Sequence, residues 1–115
     1  MDGMQLYQEL DQKTHMLDVA VRELRTRGTA LAQAERDYKV ALAKAILEER
    51  AKGTPVTIIG DVCRGKQEIA KLRFERDCAD VLWKSALEAI NSMKLSMRIL
   101  ENQISREWGQ AQKMV

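Results

Sequence analysis

The sequence predicts an all-α protein: a long antiparallel helical hairpin with a short connector helix, assembling into a helical-bundle homo-oligomer. Three observations carry that expectation. Apolar residues recur in steps of three and four along most of the chain. One proline and six glycines leave little turn-forming material, and five aromatic residues are few for a protein of many strands. With 115 residues, 45% hydrophobic and 31% charged, the chain reads as one domain, 1–115, with a modest core.

The first helix is expected over about 4–52. Leu10, Leu17, Leu24, Leu31, Tyr38 and Ala45 stand at strict seven-residue spacing, with Ala20, Ala34 and Ala41 three residues after members of that row. Asp18 with Arg22, Glu23 with Arg27, Glu35 with Lys39 and Glu48 with Lys52 place an acid one turn before a base, the favourable order on a solvated helix face. Gly28 interrupts the pattern at a cost of about 1 kcal/mol against alanine. It marks either a break near Thr26–Thr29 or a close backbone approach, and the reading here is a tolerated kink. Gly53 suits the position after a helix, and Pro55 pushes Thr54 out of helical geometry.

The connector, 53–65, reads GTPVTIIGDVCRG. VTII has the composition of a strand but no partner, whereas Thr57 as N-cap, Ile58, Ile59, Val62 and Cys63 as one face and Gly65 as C-cap make a two-turn helix. The short helix is the expectation. The second long helix, about 66–108, carries Ile69, Leu72, Arg76, Ala79, Trp83, Ala86, Ile90, Met93, Met97, Leu100 and Ile104 in heptad steps. Beside that seam runs a narrower stripe of Phe74, Cys78, Leu82, Ser85, Ala89, Ser92 and Ser96. Two buriable faces on one helix are more than a hairpin alone covers, which predicts a dimer or larger symmetric oligomer. Residues 109–115 are expected to fray.

Composition narrows the function. Nineteen basic against seventeen acidic residues give a net charge of +2, too balanced for a general nucleic-acid binder, so weak or no nucleic-acid contact is expected. The acidic amino terminus lacks a secretory signal pattern and no run approaches the ~20 apolar residues that span a bilayer. No membrane contact and a cytoplasmic location are expected. Cys63 and Cys78, without a C-x-x-C or a second pair, read as reduced thiols. His15 is the single histidine, so neither a zinc set nor a triad assembles, and no metal, cofactor or catalysis is expected.

Three constellations could still carry chemistry. Gly60-Asp61-Val62-Cys63-Arg64-Gly65-Lys66-Gln67 fits G-x-x-x-x-G-K, but Gln67 replaces the Mg²⁺-holding Ser or Thr and no parallel sheet is in prospect. Gly65 then reads as an ordinary C-cap with Lys66 solvated, or Lys66 at a helix start binds an anion. Arg76 sits on the seam and needs a partner: Asp77, Asp80 or Glu35 in a structural pair, or an anionic ligand held with Arg73, Arg64 and Lys66. Tyr38 and Trp83 read as core, with stacking on a base as the alternative. Met93, Met97 and Met114 read as core or oligomer contacts, and Trp108 as either a bundle cap or an exposed anchor.

Residues 55–77, PVTIIGDVCRGKQEIAKLRFERD, and 88–108, EAINSMKLSMRILENQISREW, with Ala34–Lys39, resemble a family of small proteins encoded by phages and prophages of Gram-positive bacteria. The resemblance runs from about Leu6 to Trp108. It implies a setting in the bacterial host cell and no known catalytic activity. The expected function is a non-enzymatic phage accessory protein that counters host defence. It would sequester a nucleotide-derived signal, of cyclic nucleotide or cyclic ADP-ribose type, at an inter-subunit pocket. Arg64, Lys66, Arg73 and Arg76 would hold its anionic groups, and Thr57 and Asp61 its sugar or base edges. The alternatives are a DNA replication or recombination accessory factor, working through single-stranded DNA or a recombinase, and a protein-binding inhibitor of a host defence nuclease.

Overall fold

The computed structural model describes residues 3–113, all in or between three helices: α1 Gly3–Ala51, α2 Val56–Arg64 and α3 Gln67–Lys113. No strand occurs among the described residues, so VTII is helical as expected. The chain divides into two compact units. One joins the stretch of α1 up to Arg25 to that of α3 from Ser85; the other is Thr26–Lys84 and contains the connector. In each, α1 and α3 run antiparallel.

The heptad rows are where burial falls. In the unit Thr26–Lys84, Tyr38, Ala45, Ile59, Cys63 and Ile69 form the core, with Ala41, Leu42, Ile46 and Leu72 packed against it. α2 thus closes this end of the hairpin by inserting Ile59 and Cys63, four residues apart on one helix face, between the long helices. In the other unit Leu6, Ile90 and Leu100 are buried. The second α3 stripe lies outward instead: Phe74, Cys78, Leu82, Ser85, Ala89 and Ser92 are exposed and only Ser96 is half-buried.

The turn between α1 and α2 rests on Gly53, whose φ of +85° is strained for any side chain. The residue before α2 is Pro55, at φ −58° and ψ 136°, with no side-chain cap. This corrects the expected Thr57 cap: Thr57 lies inside the first turn, exposed, and Pro55 stands at the helix start, where an N–H would have no intrahelical acceptor. Gly65 caps α2 as expected, its N–H donating to the Asp61 carbonyl at 3.0 Å.

α1 is helical throughout Gly3–Ala51, so Gly28 does not break it, and Trp83 lies beside that glycine. A Cβ at Gly28 would stand 3.4 Å from Trp83 Nε1 and 3.5 Å from Cδ1. α3 continues through Gly109 to Lys113, past the predicted end near Trp108. Met114 lies outside the described residues. Trp108 is 65% exposed, which answers to an exposed anchor more than to a buried cap.

Candidate functional site

All six residues singled out for ligand binding fall in the unit Thr26–Lys84, but most of them already have partners there. Lys66, between the C-cap of α2 and the first residue of α3, reaches Glu49 on α1, with Nζ 2.8 Å from Oε1. Glu49 is the one buried charged residue among those described, 8% exposed. Its other oxygen accepts from the Thr54 hydroxyl at 2.7 Å, and Lys52 Nζ lies 3.6 Å from Oε1. These contacts lock the α1–α2 turn to the α2–α3 junction. The hydrogen bond from Lys66, then that from Thr54, outweigh burial and hold the Glu49 carboxyl well below its ordinary 4.5, at about 2. The same hydrogen bond raises the Lys66 ammonium above its usual value.

Lys66 is therefore neither the solvated side chain nor the open cation that the sequence left as alternatives. A buried carboxylate fills the place an incoming phosphate would take. The G-x-x-x-x-G-K run has no loop geometry either. Gly60 lies within α2, where a Cβ would stand 3.1 Å from Nη2 and 3.2 Å from Nη1 of Arg64. The missing side chain makes room for that guanidinium to fold back along its own helix, and Arg64 Nη2 donates to Asp61 Oδ1 at 2.8 Å. Asp61 is mostly exposed, so that pair is worth little on its own.

Arg76 stays on the seam by stacking. Its guanidinium carbon lies 4.7 Å from the centroid of the Tyr38 ring, and Nε and Nη2 donate to Asp77 Oδ1 at 3.1 and 2.8 Å. The Asp77 hydrogen bond raises the guanidinium pKa further. The cleft here, about 230 Å³, is lined by Leu31, Glu35, Arg76, Asp77 and Asp80. Three carboxylates surround one guanidinium, although Lys39 lies 3.3 Å from Glu35 and Lys84 2.8 Å from Asp80. None of the other five candidates lines this cleft, and its charge does not favour an anion. Arg73 and Thr57 are exposed on α3 and α2. The structure thus joins Asp61 to Arg64 and sends Lys66 and Arg76 to partners elsewhere.

Glu49 escaped the sequence reading, which paired Glu48 with Lys52. The signal was present: Glu49 continues the row Glu35, Leu42 at the edge of the α1 seam, a partly buried row, whereas Glu48 is exposed. Elsewhere, Cys63 is buried, Cys78 exposed, and both are free thiols. His15 is exposed and lines an open groove of about 440 Å³ with Met16, Val19 and Met93. A second cleft, about 250 Å³, lies between Tyr7 and Trp108 over Leu6 and Ile104. No group of three or more metal-ligating side chains occurs among the described residues, and no described helix is long and apolar enough to cross a membrane. Comparison with protein-family models, curated proteins and solved structures returns no match.

Proposed function

We propose that the protein is a non-enzymatic interaction module: a helical hairpin that works by presenting apolar helix faces to protein, a second copy of itself included. One observation carries this reading. The exposed side chains include Val40, Leu47, Val56, Phe74, Val81, Leu95, Ile99 and Trp108, each more than half exposed. In the phage setting that the sequence resemblance implies, such a module acts as a protein-binding inhibitor of a host defence enzyme.

Sequestration of a nucleotide-derived signal is the competing proposal. In its favour, Arg64, Lys66, Arg73 and Arg76 share one compact unit. Against it, a ligand must displace Glu49 from Lys66, Asp61 from Arg64 and Asp77 from Arg76. Native mass spectrometry of protein purified from its host decides first. An oligomer or a complex with a second protein supports the module, and a bare monomer overturns it. Calorimetry against cyclic dinucleotides and cyclic ADP-ribose isomers decides second: micromolar or tighter binding moves the function to sequestration.

A further inference from the structure

We infer that the cleft between Tyr7 and Trp108 receives an arginine side chain presented by a partner protein. The inference rests on the interaction module proposed above and names the chemistry by which a partner is recognised. The α3 seam row Ile90, Met93, Met97, Leu100 and Ile104 continues in the same steps of three and four to Glu107 and Ala111. A carboxylate thus stands where an apolar residue would pack. Glu107 is half-buried, and no hydrogen bond or ion pair reaches its carboxylate among the described residues. On the α1 side, Gly3, Leu6 and Tyr7 line the cleft from one helix face, and a Cβ at Gly3 would meet nothing within 4 Å. Two small residues, Gly3 and Ala111, leave about 250 Å³ open over Leu6, which is 0% exposed.

The occupant's chemistry follows from the lining. Glu107 is its single charged residue, so the complementary charge is positive. From Gly3 to Gln12, α1 adds Glu9 and Asp11 and no base, while Arg106 and Lys113, the bases of α3 beyond Arg98, are exposed and do not line the cleft. A half-buried acceptor without a donor calls for N–H groups, which a quaternary ammonium ion lacks. Two aromatic residues beside that acceptor favour guanidinium over ammonium, because a flat guanidinium stacks on a ring while its edge donates to a carboxylate. The chain satisfies the same combination elsewhere with its own arginine: Arg76 lies 4.7 Å from the Tyr38 ring centroid and donates to Asp77 Oδ1 at 2.8 Å. Tyr7, Trp108 and Glu107 repeat ring and carboxylate with no arginine of this chain among the lining residues. The volume is below the roughly 300–1,000 Å³ of clefts that take whole drug-sized ligands, and suits one side chain. Tryptophan and arginine are also the residues that dominate the energy of protein contacts, which makes a partner protein the source.

The test titrates the full chain with a capped acetyl-Gly-Arg-Gly-amide peptide and with its lysine and citrulline counterparts. NMR reads the indole N–H of Trp108, with that of half-buried Trp83 in the other unit as the reference. Saturable millimolar binding that shifts Trp108 and not Trp83 is expected for arginine, about fivefold weaker for lysine and absent for the neutral, isosteric citrulline. Glu107→Gln, and separately Tyr7→Leu, is expected to weaken arginine binding about fivefold at unchanged helix content by circular dichroism. Should one variant lose helix, the other carries the comparison. Lysine or citrulline binding as tight as arginine, arginine binding that neither variant weakens, or no saturation by any peptide overturns the site and leaves the interaction module to its native mass measurement. A bare monomer in that measurement, from a chain that still binds the arginine peptide, overturns the module and the protein source of the arginine while the guanidinium site stands.

Discussion

Replacing Gly28 with alanine is expected to stabilise the protein, which separates the two reasons a glycine can sit inside a long helix. Had Gly28 been there to bend α1, an added methyl group would bring nothing or do harm. In the structure the helix is unbroken and the glycine faces the Trp83 ring. A Cβ at 3.4 and 3.5 Å from two ring atoms is in ordinary van der Waals contact at its near edge, and both residues are half-buried. The intrinsic helix preference gained is about 0.8–1 kcal/mol, part of it through a less flexible unfolded chain. Burying a fraction of one methyl adds at most about 0.8 kcal/mol, offset by a shift of the indole of a few tenths of an ångström. The net expectation is about 1 kcal/mol, or roughly 4 °C in Tm for a domain of this size. Thermal melts followed by circular dichroism, at matched protein concentration, measure it. Gly28→Val is expected to gain less than Gly28→Ala, because β-branching lowers helix preference and adds bulk beside the ring. A Gly28→Ala variant that melts below wild type would refute the claim that the space beside Trp83 accepts a methyl group.

Other measurements bear on the remaining contacts. The Glu49 carboxyl is held at about 2 against an ordinary 4.5, so its contribution to stability is present above pH 4.5 and lost as pH falls through about 2. The stability difference between wild type and Glu49→Gln should accordingly be constant near neutrality and shrink across that acid window; a difference that does not change with pH would remove the ion pair as its source. Ile90→Ala, at a side chain 4% exposed, is expected to cost about 2–5 kcal/mol, whereas Leu95→Ala, 57% exposed, should stay within about 0.5 kcal/mol in the monomer, both by urea denaturation. Arg76→Met is expected to leave stability unchanged or slightly raised, since an apolar chain of similar length still covers Tyr38 and Asp77 is exposed enough to be solvated. Arg76→Ala should cost about 1–2 kcal/mol through lost packing. A Met variant as unstable as the Ala variant would show that the charge, and not the stem, holds this point of the seam.

The two long helices could be read from the chain because a heptad row is a local property. Each of Leu10, Leu17, Leu24, Leu31, Tyr38 and Ala45 is at least partly buried, as are all eleven seam residues named on α3 from Ile69 to Ile104. Glycine and proline marked the ends of the connector for equally local reasons, a positive φ at Gly53 and a fixed φ at Pro55. What escaped depends on which residues end up opposite one another. Nothing around Gly28 in the chain names its neighbour until Trp83 is seen to lie against it. Glu49 reads as one more acid on a charged helix until the connector carries Lys66 back to it. The register between antiparallel helices is set by the path of the connector, and the spacing of apolar residues along either helix alone does not contain it.

The same distinction bears on the cluster of cations at the connector. By residue type, Arg64, Lys66, Arg73 and Arg76 resemble an anion site, since guanidinium and ammonium groups near a helix start are what such sites use. By position, two of the four complete the hairpin itself: Lys66 neutralises a carboxylate buried where three helix ends meet, and Arg76 covers the ring of a core tyrosine. Removing Lys66 would leave Glu49 desolvated with only the Thr54 hydroxyl and the more distant Lys52 to offset it. Lys66→Ala should therefore lower thermal stability, whereas Arg73→Ala, at an exposed position of α3, should leave the fold as it is. That asymmetry makes Arg73 the informative substitution for any anionic ligand. Lost binding on Arg73→Ala reports recognition, whereas lost binding on Lys66→Ala reports the collapse of the turn that Lys66 holds.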